Sequence, residues 1–521
     1  MADTSTDVLV VGAGPTGLML AAWLARLGVD AVLVDDGEAP TVESRAIVVQ
    51  ARSMELYAQL GMVDAVRDRV TWARRLRPGW EDRPAPGGAL PLADMMRGLT
   101  PYPGVHVLEQ SANERLLGAR LRELGGQVTW RHRLTDLHQD ADGVTAELDT
   151  PTGRRRLTAR WVVGADGARS VVRGRTGVPF TGTTHAQTFW VADATGVDGL
   201  ADATITVRGG RDRFLLTFPL GPDHHRLIGI AEGEDVDLGR TRQQVAERFG
   251  LTMPEPSWFA TYRLHHRVAD RFRAGRVLLA GDAAHVHSPV GGQGMNTGLQ
   301  DAHNLALALA DVLAGHADDI RLDRYQAERR PVAERLVGTT DRLFATVVDP
   351  SPRAVATRRA VFPVLAPLLA TAVPRLPLAR RMAGYVGQLR IHYWMTPDAE
   401  REAGGRRGRV VGRRLPWTGA NHDVLRAAGW QVHAYGPTLP ELAGLPSLVG
   451  ASHRFDPRPD LGLDAGRWLL VRPDGFVAAA AEPGRAASVF TDVLRAQGYR
   501  DAALRPHPAP ATAVGPDAGP G

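Results

Sequence analysis

The chain has 521 residues, 44% apolar and 23% charged, the balance of a soluble globular enzyme long enough for two or three domains. All 62 basic residues are arginine and there is no cysteine, which excludes a lysine Schiff base, a Walker lysine, thiolate catalysis, disulfides and dithiol redox chemistry. The net charge of +5 is spread thinly, with short clusters such as Arg154–Arg156, so no basic stripe with interleaved aromatics offers itself to a nucleic acid.

Residues before Val8 are polar and lack the basic and apolar regions of a signal peptide, so a cytoplasmic protein is expected. Asp7–Val11 reads as a buried strand closing on GAGPTG, followed by a periodic helix through Leu27 and a second strand at Ala31–Val34. That βαβ opening is the start of a dinucleotide-binding fold. A helix is predicted from Ser53 to Leu60, then a Pro- and Gly-rich excursion from Arg77 to Gly104, then a helix over Asn113–Leu124. Strands follow near Val128–Trp130, Gly143–Leu148 and Leu157–Val163.

From Val178 to Arg273 the texture changes to short strands with turn signals, such as Phe214–Pro219 and Leu227–Ile230 around GPDHH, which predicts an inserted antiparallel sheet. Long helices are expected from Asn296 to about Ala345 and onward to Tyr393. Within them VFPVLAPLLATAV, from Val361, is too short to span a bilayer and carries two prolines. A Gly- and Arg-rich linker, Arg401–Arg414, opens a C-terminal module ending near Tyr499, and the last residues lack the means to build a core and are expected to be disordered.

Three stretches carry chemistry. In the first, Gly12 permits a tight turn, Gly14 lets backbone approach a pyrophosphate, and Gly17 lets the helix pack on the strand. Asp35 then ends the second strand, where a carboxylate can accept ribose hydroxyls. The second is GADGARS, Gly164–Ser170, which on its own is better read as a plain strand-to-turn corner. The third, Val277–Ala306, runs strand, Gly281-Asp282 turn, Gly-rich loop and helix; it aims N–H groups near Gly294, Met295 and Asn296 at an anionic, planar ligand such as a flavin.

With GAGPTG, SRAIVVQARSMELYAQLG (Ser44–Gly61), EQSANERLL (Glu109–Leu117), GADGARS and Val277–Ala306 in this order, the chain resembles the class A flavoprotein aromatic hydroxylases over about its first 395 residues. The resemblance implies the para-hydroxybenzoate hydroxylase fold: α/β, a Rossmann-like FAD-binding domain over 1–177 and 274–397 with a helical extension, and an inserted antiparallel-sheet substrate domain over 178–273. It further implies non-covalent FAD, NADPH or NADH as electron donor, and insertion of one oxygen atom from O2 into an aromatic substrate through a flavin C4a-hydroperoxide. Position by position, Gly12, Gly14, Gly17 and Asp35 would hold the ADP half of FAD, and Arg45 would lie near the pyrophosphate. Gln110 resembles the flavin-contacting glutamine, Gly281-Asp282 the ribityl-pyrophosphate turn, and Asp166 the acid serving FAD and nicotinamide. The loop Pro289, Gly291 and Gly292 would flank the reacting face of the flavin. One departure is Asp35-Asp36 where the family often has Glu-Arg, which removes an arginine contact to the adenine half. LLVRPDGFVA, Leu469–Ala478, looks like the thioredoxin-like appendage of the polyketide and phenol hydroxylase branches, here over 398–500 with a tail at 501–521. Without cysteine it would serve packing or homodimerisation.

The aromatic residues Trp190, Phe214, Phe218, Trp258 and Tyr262 are candidates for a wide apolar pocket, each also a candidate for core. His224 and His225 fall in a turn and are expected to face solvent. His265, His266, His285 and His287 invite a metal, but no carboxylate pattern surrounds them and the flavin motif already accounts for the last two. No general base can be assigned. Hydroxylation of a phenol or polycyclic polyketide is the first reading, and Baeyer-Villiger oxygenation of a polyketide ketone on the same scaffold the second. A flavin halogenase, which leans on a lysine, is set aside. A non-catalytic FAD-binding or partner-docking protein is the reading from a different class.

Overall fold

Four parallel strands lie side by side in the order Ala31–Val34, Thr4–Val11, Gly153–Gly164 and Val277–Leu279. Their last residues are in register, Val34 beside Val11, Val11 beside Gly164, and Gly164 beside Leu279. Val8, Leu9 and Val10 are fully buried, which explains why the opening strand reads as a continuous apolar run rather than an alternating one. Arg133–Gln139 and Val144–Thr150 extend the sheet antiparallel at one side, and Val128–Thr129 closes the other. A computed structural model describes residues 4–41, 46–84, 89–210, 213–231, 236–287, 292–348, 351–353, 355–356, 360, 377–436, 442 and 444–506. Arg45, Pro289, Gly291, the apolar stretch from Val361 and the tail beyond 506 lie outside them.

Helix Pro15–Arg26 crosses helix Gly294–Leu313 at close range. A methyl group on Gly298 would overlap the Thr16 hydroxyl, so the absence of a side chain there sets the spacing of the two helices. The long helices expected from Asn296 to about Ala345 are Gly294–Leu313 and Arg321–Val348. The break falls at Gly315, whose φ of +74° is the left-handed conformation that ends helices.

Among the described residues the second sheet has nine strands, and 178–273 supplies five of them: Phe180–Thr195, Thr204–Gly209, Phe214–Gly221, His224–Ile230 and Trp258–Ala269. The Pro- and Gly-rich excursion is not loop throughout. It contributes Arg75–Trp80, parallel to Thr204–Gly209, with the two-residue strands Arg83–Pro84 and Leu90–Pro91 beside it. Proline is tolerated there because these strands lie at the rim of the sheet, where a missing N–H breaks little of the ladder. At the opposite rim His285–Val286, just before the Gly-rich loop, pairs with Arg267 and Val268.

The two faces of this sheet do different work. One face carries Trp190, Ala192, Ala194, Leu215 and Leu227 under helix Leu238–Phe249, sealed by Val245, Phe249, Leu251 and Met253. Trp190 is therefore core, with its indole against Gly229, and not part of a pocket. His225 is likewise buried rather than exposed, because the strand begins at His224 and draws it into the sheet. Burial lowers its pKa.

The other face is ordered in three rows. Tyr262, Phe189 and Ile230 stand side by side, with Phe214 packed against them. Ala260, Val191, Ile228, Leu216 and Val207 form the second row, and Trp258, Asp193, Arg226 and Phe218 the third. Val191, Ile228 and Phe218 of this face pack with Ile47, Val48, Val105 and Val107, in and beside a small sheet formed by Val48–Val49, Thr71–Ala73 and Val105–Val107, while Tyr262, Ala260, Leu216, Val207 and Trp258 stay partly exposed.

The remaining unit comprises 314–321, 392–415 and 420 onward. Its sheet runs Val449–Phe455, Trp430–Tyr435, Trp468–Val471, Val477–Ala481, the first pair parallel and the others antiparallel, with helix Pro483–Ala496 burying Ala486, Phe490 and Leu494. This is thioredoxin-like topology without a thiol. Its RPDG turn is closed by Arg472, which donates to Asp474 at 3.0 and 2.8 Å with both side chains buried.

Trp190→Ala should lower the unfolding free energy of the sheet-bearing unit by about 3–5 kcal/mol through the cavity it leaves. Chemical denaturation followed by far-ultraviolet circular dichroism measures this; a cost under about 1 kcal/mol would mean the indole is not packed as described.

Candidate active site

Because the four parallel strands end in register, the residues that follow them share one edge: Asp35, Gly12, Ala165-Asp166 and Gly281-Asp282. Adjacent strands are about 4.8 Å apart, so these residues span the length of an extended ligand, and the carboxyl ends of parallel strands are where such ligands bind.

Gly12 has φ +103°, and a Cβ there would lie 2.5 Å from the Ala165 carbonyl oxygen, so the loop between strand and helix can only close with glycine. A Cβ on Gly17 would overlap the Gly12 carbonyl. Gly14, in contrast, faces open space, and the helix that starts after it has no side-chain cap on its first N–H groups. An open cradle lined by uncapped N–H groups fits a pyrophosphate. Asp35 accepts hydrogen bonds from the N–H of Ala13 at 2.6 Å and of Gly37 at 2.8 Å. A carboxylate has about four acceptor positions, so this pins the glycine loop and leaves capacity for hydroxyls.

Gln110 accepts from the Ala46 N–H at 3.3 Å and donates to Glu114 at 2.9 Å, which fixes its amide beside the segment that carries Arg45. Burial raises the Glu114 pKa, more than the hydrogen bond from Gln110 lowers it. Asp166 faces its own chain. It accepts from the Ser170 hydroxyl at 2.5 Å and from the N–H groups of Val171 and Val172 at 2.7 and 3.1 Å, capping the short helix Val171–Arg175, and burial raises its pKa despite these bonds.

The turn that presents Asp282 to solvent is held from below by Asp301, a residue the sequence reading missed. The buried Asp301 carboxylate accepts from the Gly281 N–H at 3.2 Å, bonds His285 Nε2 at 2.6 Å and accepts from Arg329 Nε at 2.6 Å. Burial pushes its pKa up, but Arg329 and His285 pull it further down, so it stays below the usual carboxylate range. Among the described residues no His, Asp and Glu cluster of metal-binding form occurs, and His285 is taken up by this pairing.

The Asn296 side chain has a task of its own. Its carbonyl oxygen accepts from the Gln50 N–H and the Ser53 hydroxyl, and its amide donates to the carbonyls of Val48 and Gly292, all at 2.7 Å. The side chain is fully engaged inside the protein, so it clamps the Gly-rich loop to helix Ala51–Leu60, and only backbone N–H groups of this turn remain for a ligand. The Met295 sulfur accepts from Asn113, which in turn accepts from the Tyr57 hydroxyl at 2.8 Å. Gly292 has φ +61° and sits against Val48, where a Cβ would lie 2.5 Å from the valine Cβ. Gln388 donates to Gln293 at 2.6 Å and to Thr297 at 3.1 Å, tying the same helix start to a distant turn.

Residues 5–340 match the family model of the FAD binding domain. The chain is 35% identical to the 6-methylpretetramide 4-monooxygenase of Streptomyces rimosus, with 91% of each chain covered. It is 34% identical to the tetracenomycin B2 monooxygenase-dioxygenase of Streptomyces olivaceus over 90% of this chain and 94% of that one. Among solved structures, an anhydrotetracycline hydroxylase from Streptomyces rimosus superposes with a TM-score of 0.74 at 29% identity, covering 95% of this chain and 99% of the other.

Two outcomes follow. Gly17→Ala should fold with near-native far-ultraviolet circular dichroism yet bind FAD at least about 100-fold more weakly, read by titration of flavin fluorescence; undiminished binding would remove the glycine loop from the site. Asp301→Asn leaves Arg329 buried beside a neutral amide and should cost about 3–5 kcal/mol. Since the folded pKa of Asp301 is depressed, its stabilisation is complete above the unfolded value of 3.8 and is lost as pH falls through the folded one. Denaturant midpoints of the wild type should therefore fall on acidification in this range, and those of the variant should fall less.

Proposed function

We propose, for a chain that belongs to the FAD binding domain family in its class A aromatic hydroxylase branch and is a FAD-dependent monooxygenase, that it inserts one atom of O2 into a ring of a polycyclic aromatic polyketide, using NADPH or NADH as reductant. The observation that carries the reading is the alignment of Asp35, Gly12, Asp166 and Asp282 on one sheet edge, next to a sheet face that is apolar over two full rows. When bound, FAD supplies the redox chemistry, accepting a hydride and, once reduced, activating O2.

The chain's own residues have three tasks. Gly12, Gly14, Gly17 and Asp35 hold the ADP half by backbone N–H groups and a ribose-facing carboxylate, while Asp282 and the backbone of Gly294, Met295 and Asn296 hold the flavin half. Asp301, Asn296 and Gln388 keep that turn and loop in one geometry, because a loose loop loses orientation and hence rate. The apolar rows exclude water and accept a flat, fused-ring substrate. Relatives that act on 6-methylpretetramide, anhydrotetracycline and tetracenomycin B2 support a substrate of several fused rings. We place the reaction in the cytoplasm, where reduced nicotinamide is supplied; among the described residues no helix is long and apolar enough to cross a membrane.

Anaerobic stopped-flow reduction of the FAD-loaded enzyme by NADPH and by NADH tests this. A fused-ring phenol should accelerate reduction by at least about tenfold, and aerobic turnover should yield a ring-hydroxylated product heavier by one oxygen atom. A ring-expanded lactone would replace hydroxylation by Baeyer-Villiger chemistry, and no acceleration by any fused-ring compound would overturn the reading.

A further inference from the structure

Among the residues that 178–273 supplies to the first two rows of this face, the Tyr262 hydroxyl is the only polar side-chain group; its neighbours are Phe189, Ile230, Phe214, Ala260, Val191, Ile228, Leu216 and Val207. The ring is fixed by stacking on Phe189, with centroids 5.8 Å apart. Phe189 in turn meets Phe214 at 6.0 Å. Tyr262 is half-buried, and it occupies the strand that pairs, five residues further on, with the short strand leading into the Gly-rich loop.

The hydroxyl makes no hydrogen bond with any described residue, and its oxygen is not among the atoms sealed from solvent without a partner. The donor is thus left open to a bond from outside the protein, on a face whose neighbouring side chains offer none. Phenylalanine would give the same stacking without that donor. Burial also pushes the Tyr262 pKa up, the nearby Arg226 opposing only in part, so the group remains a protonated donor and does not serve as a base.

Resting on the fused-ring substrate reading above, we propose that Tyr262 is a substrate-positioning residue: from an otherwise apolar floor its hydroxyl donates a hydrogen bond to an oxygen substituent on one edge of a polycyclic aromatic. The apolar rows would give affinity for the ring system with little preference for how it lies in its plane. One directional bond at the end of the floor selects the in-plane orientation, and thereby which ring carbon is presented for oxygenation. A site built to bond a substrate oxygen also discriminates sharply against an analogue that lacks it.

The test is a binding cycle on the FAD-loaded enzyme with two fluorescent probes that differ by one hydroxyl, 9-phenanthrol and phenanthrene, each titrated against wild type and Tyr262→Phe. Wild type should bind the phenol about tenfold more tightly, and Y262F should bind both probes alike, near the wild-type affinity for phenanthrene. A purely structural role for the tyrosine would shift both ligands together and leave their ratio intact. Retention of the tenfold preference by Y262F overturns the proposal while leaving the substrate reading in place. Equal wild-type affinities for the two probes overturn it without recourse to the variant, and failure of the wild type to bind either probe removes the fused-ring reading and this inference together. FAD content and far-ultraviolet circular dichroism of Y262F establish that it is folded.

Discussion

The carboxylate of Asp301 is the contact on which the flavin side of the molecule depends. It lies on the fully buried face of helix Gly294–Leu313 and reaches three separate segments: the Gly281 turn, the His285 strand and helix Arg321–Val348 through Arg329. A carboxylate this deep could not stay charged alone, and the guanidinium of Arg329 could not either; each makes the other's burial tolerable. The outcome is geometric more than energetic. Three pieces of chain far apart in sequence meet at one small acceptor, so the turn bearing Asp282, the strand running into the second sheet and the helix that begins at the Gly-rich loop hold fixed relative positions. Asn296, one turn earlier on the same helix, does the equivalent for the loop itself.

The same solution recurs because the chain has only arginine as a cation. Arg226 with Asp193, Arg472 with Asp474, and Arg52 with Glu55 are all buried pairs, and the first two are two-pronged. Guanidinium has no accessible neutral form, so a buried arginine needs a carboxylate where a lysine could shed its proton. Planar, two-pronged bonding also fixes direction, which suits elements that must meet at set angles. Arg226 shows this most fully: it bonds Asp193 at 2.6 Å through two nitrogens, lies over the Trp258 ring at 4.8 Å and approaches Glu109 at 3.9 Å. The charged third row of the sheet is thereby joined to the residue that precedes Gln110.

Much of this was legible in the sequence, for identifiable reasons. The glycine loop, the two opening strands and the Gly281 turn declare themselves because backbone geometry restricts residue type, as the impossible Cβ at Gly12 illustrates. The inserted sheet was visible through its short strands and turns. Its rim strand Arg75–Trp80 was not, because Pro78 and Gly79 mask it and its partner is more than a hundred residues away. The two faces could not be told apart either: Phe189 and Trp190 are both large and aromatic, and only pairing register decides which meets helix Leu238–Phe249 and which faces the small sheet. Asp193 did leave a trace, an acidic residue within an otherwise apolar run, and Asp301 left none among its polar neighbours Gln300, His303 and Asn304; the partners of both, Arg226 and Arg329, are fixed by tertiary structure alone. For Asn296 the sequence pointed only to the backbone N–H groups around it; that four protein groups occupy its side-chain amide is set by tertiary structure.

The thioredoxin-like unit is assembled from segments that are not consecutive in the chain. Residues 314–321, lying between two helices of the larger unit, belong to it along with the C-terminal segments. Tyr499 is paired with Ala317 by a strand-like bridge, and Arg500 donates to Asp318 at 2.6 Å. The appendage is consequently not a tail that can be detached or exchanged at one splice point. A graft from a related protein would have to bring the short internal segment along with the long terminal ones, so recombination within the family faces a two-site constraint that a linear drawing of domains conceals.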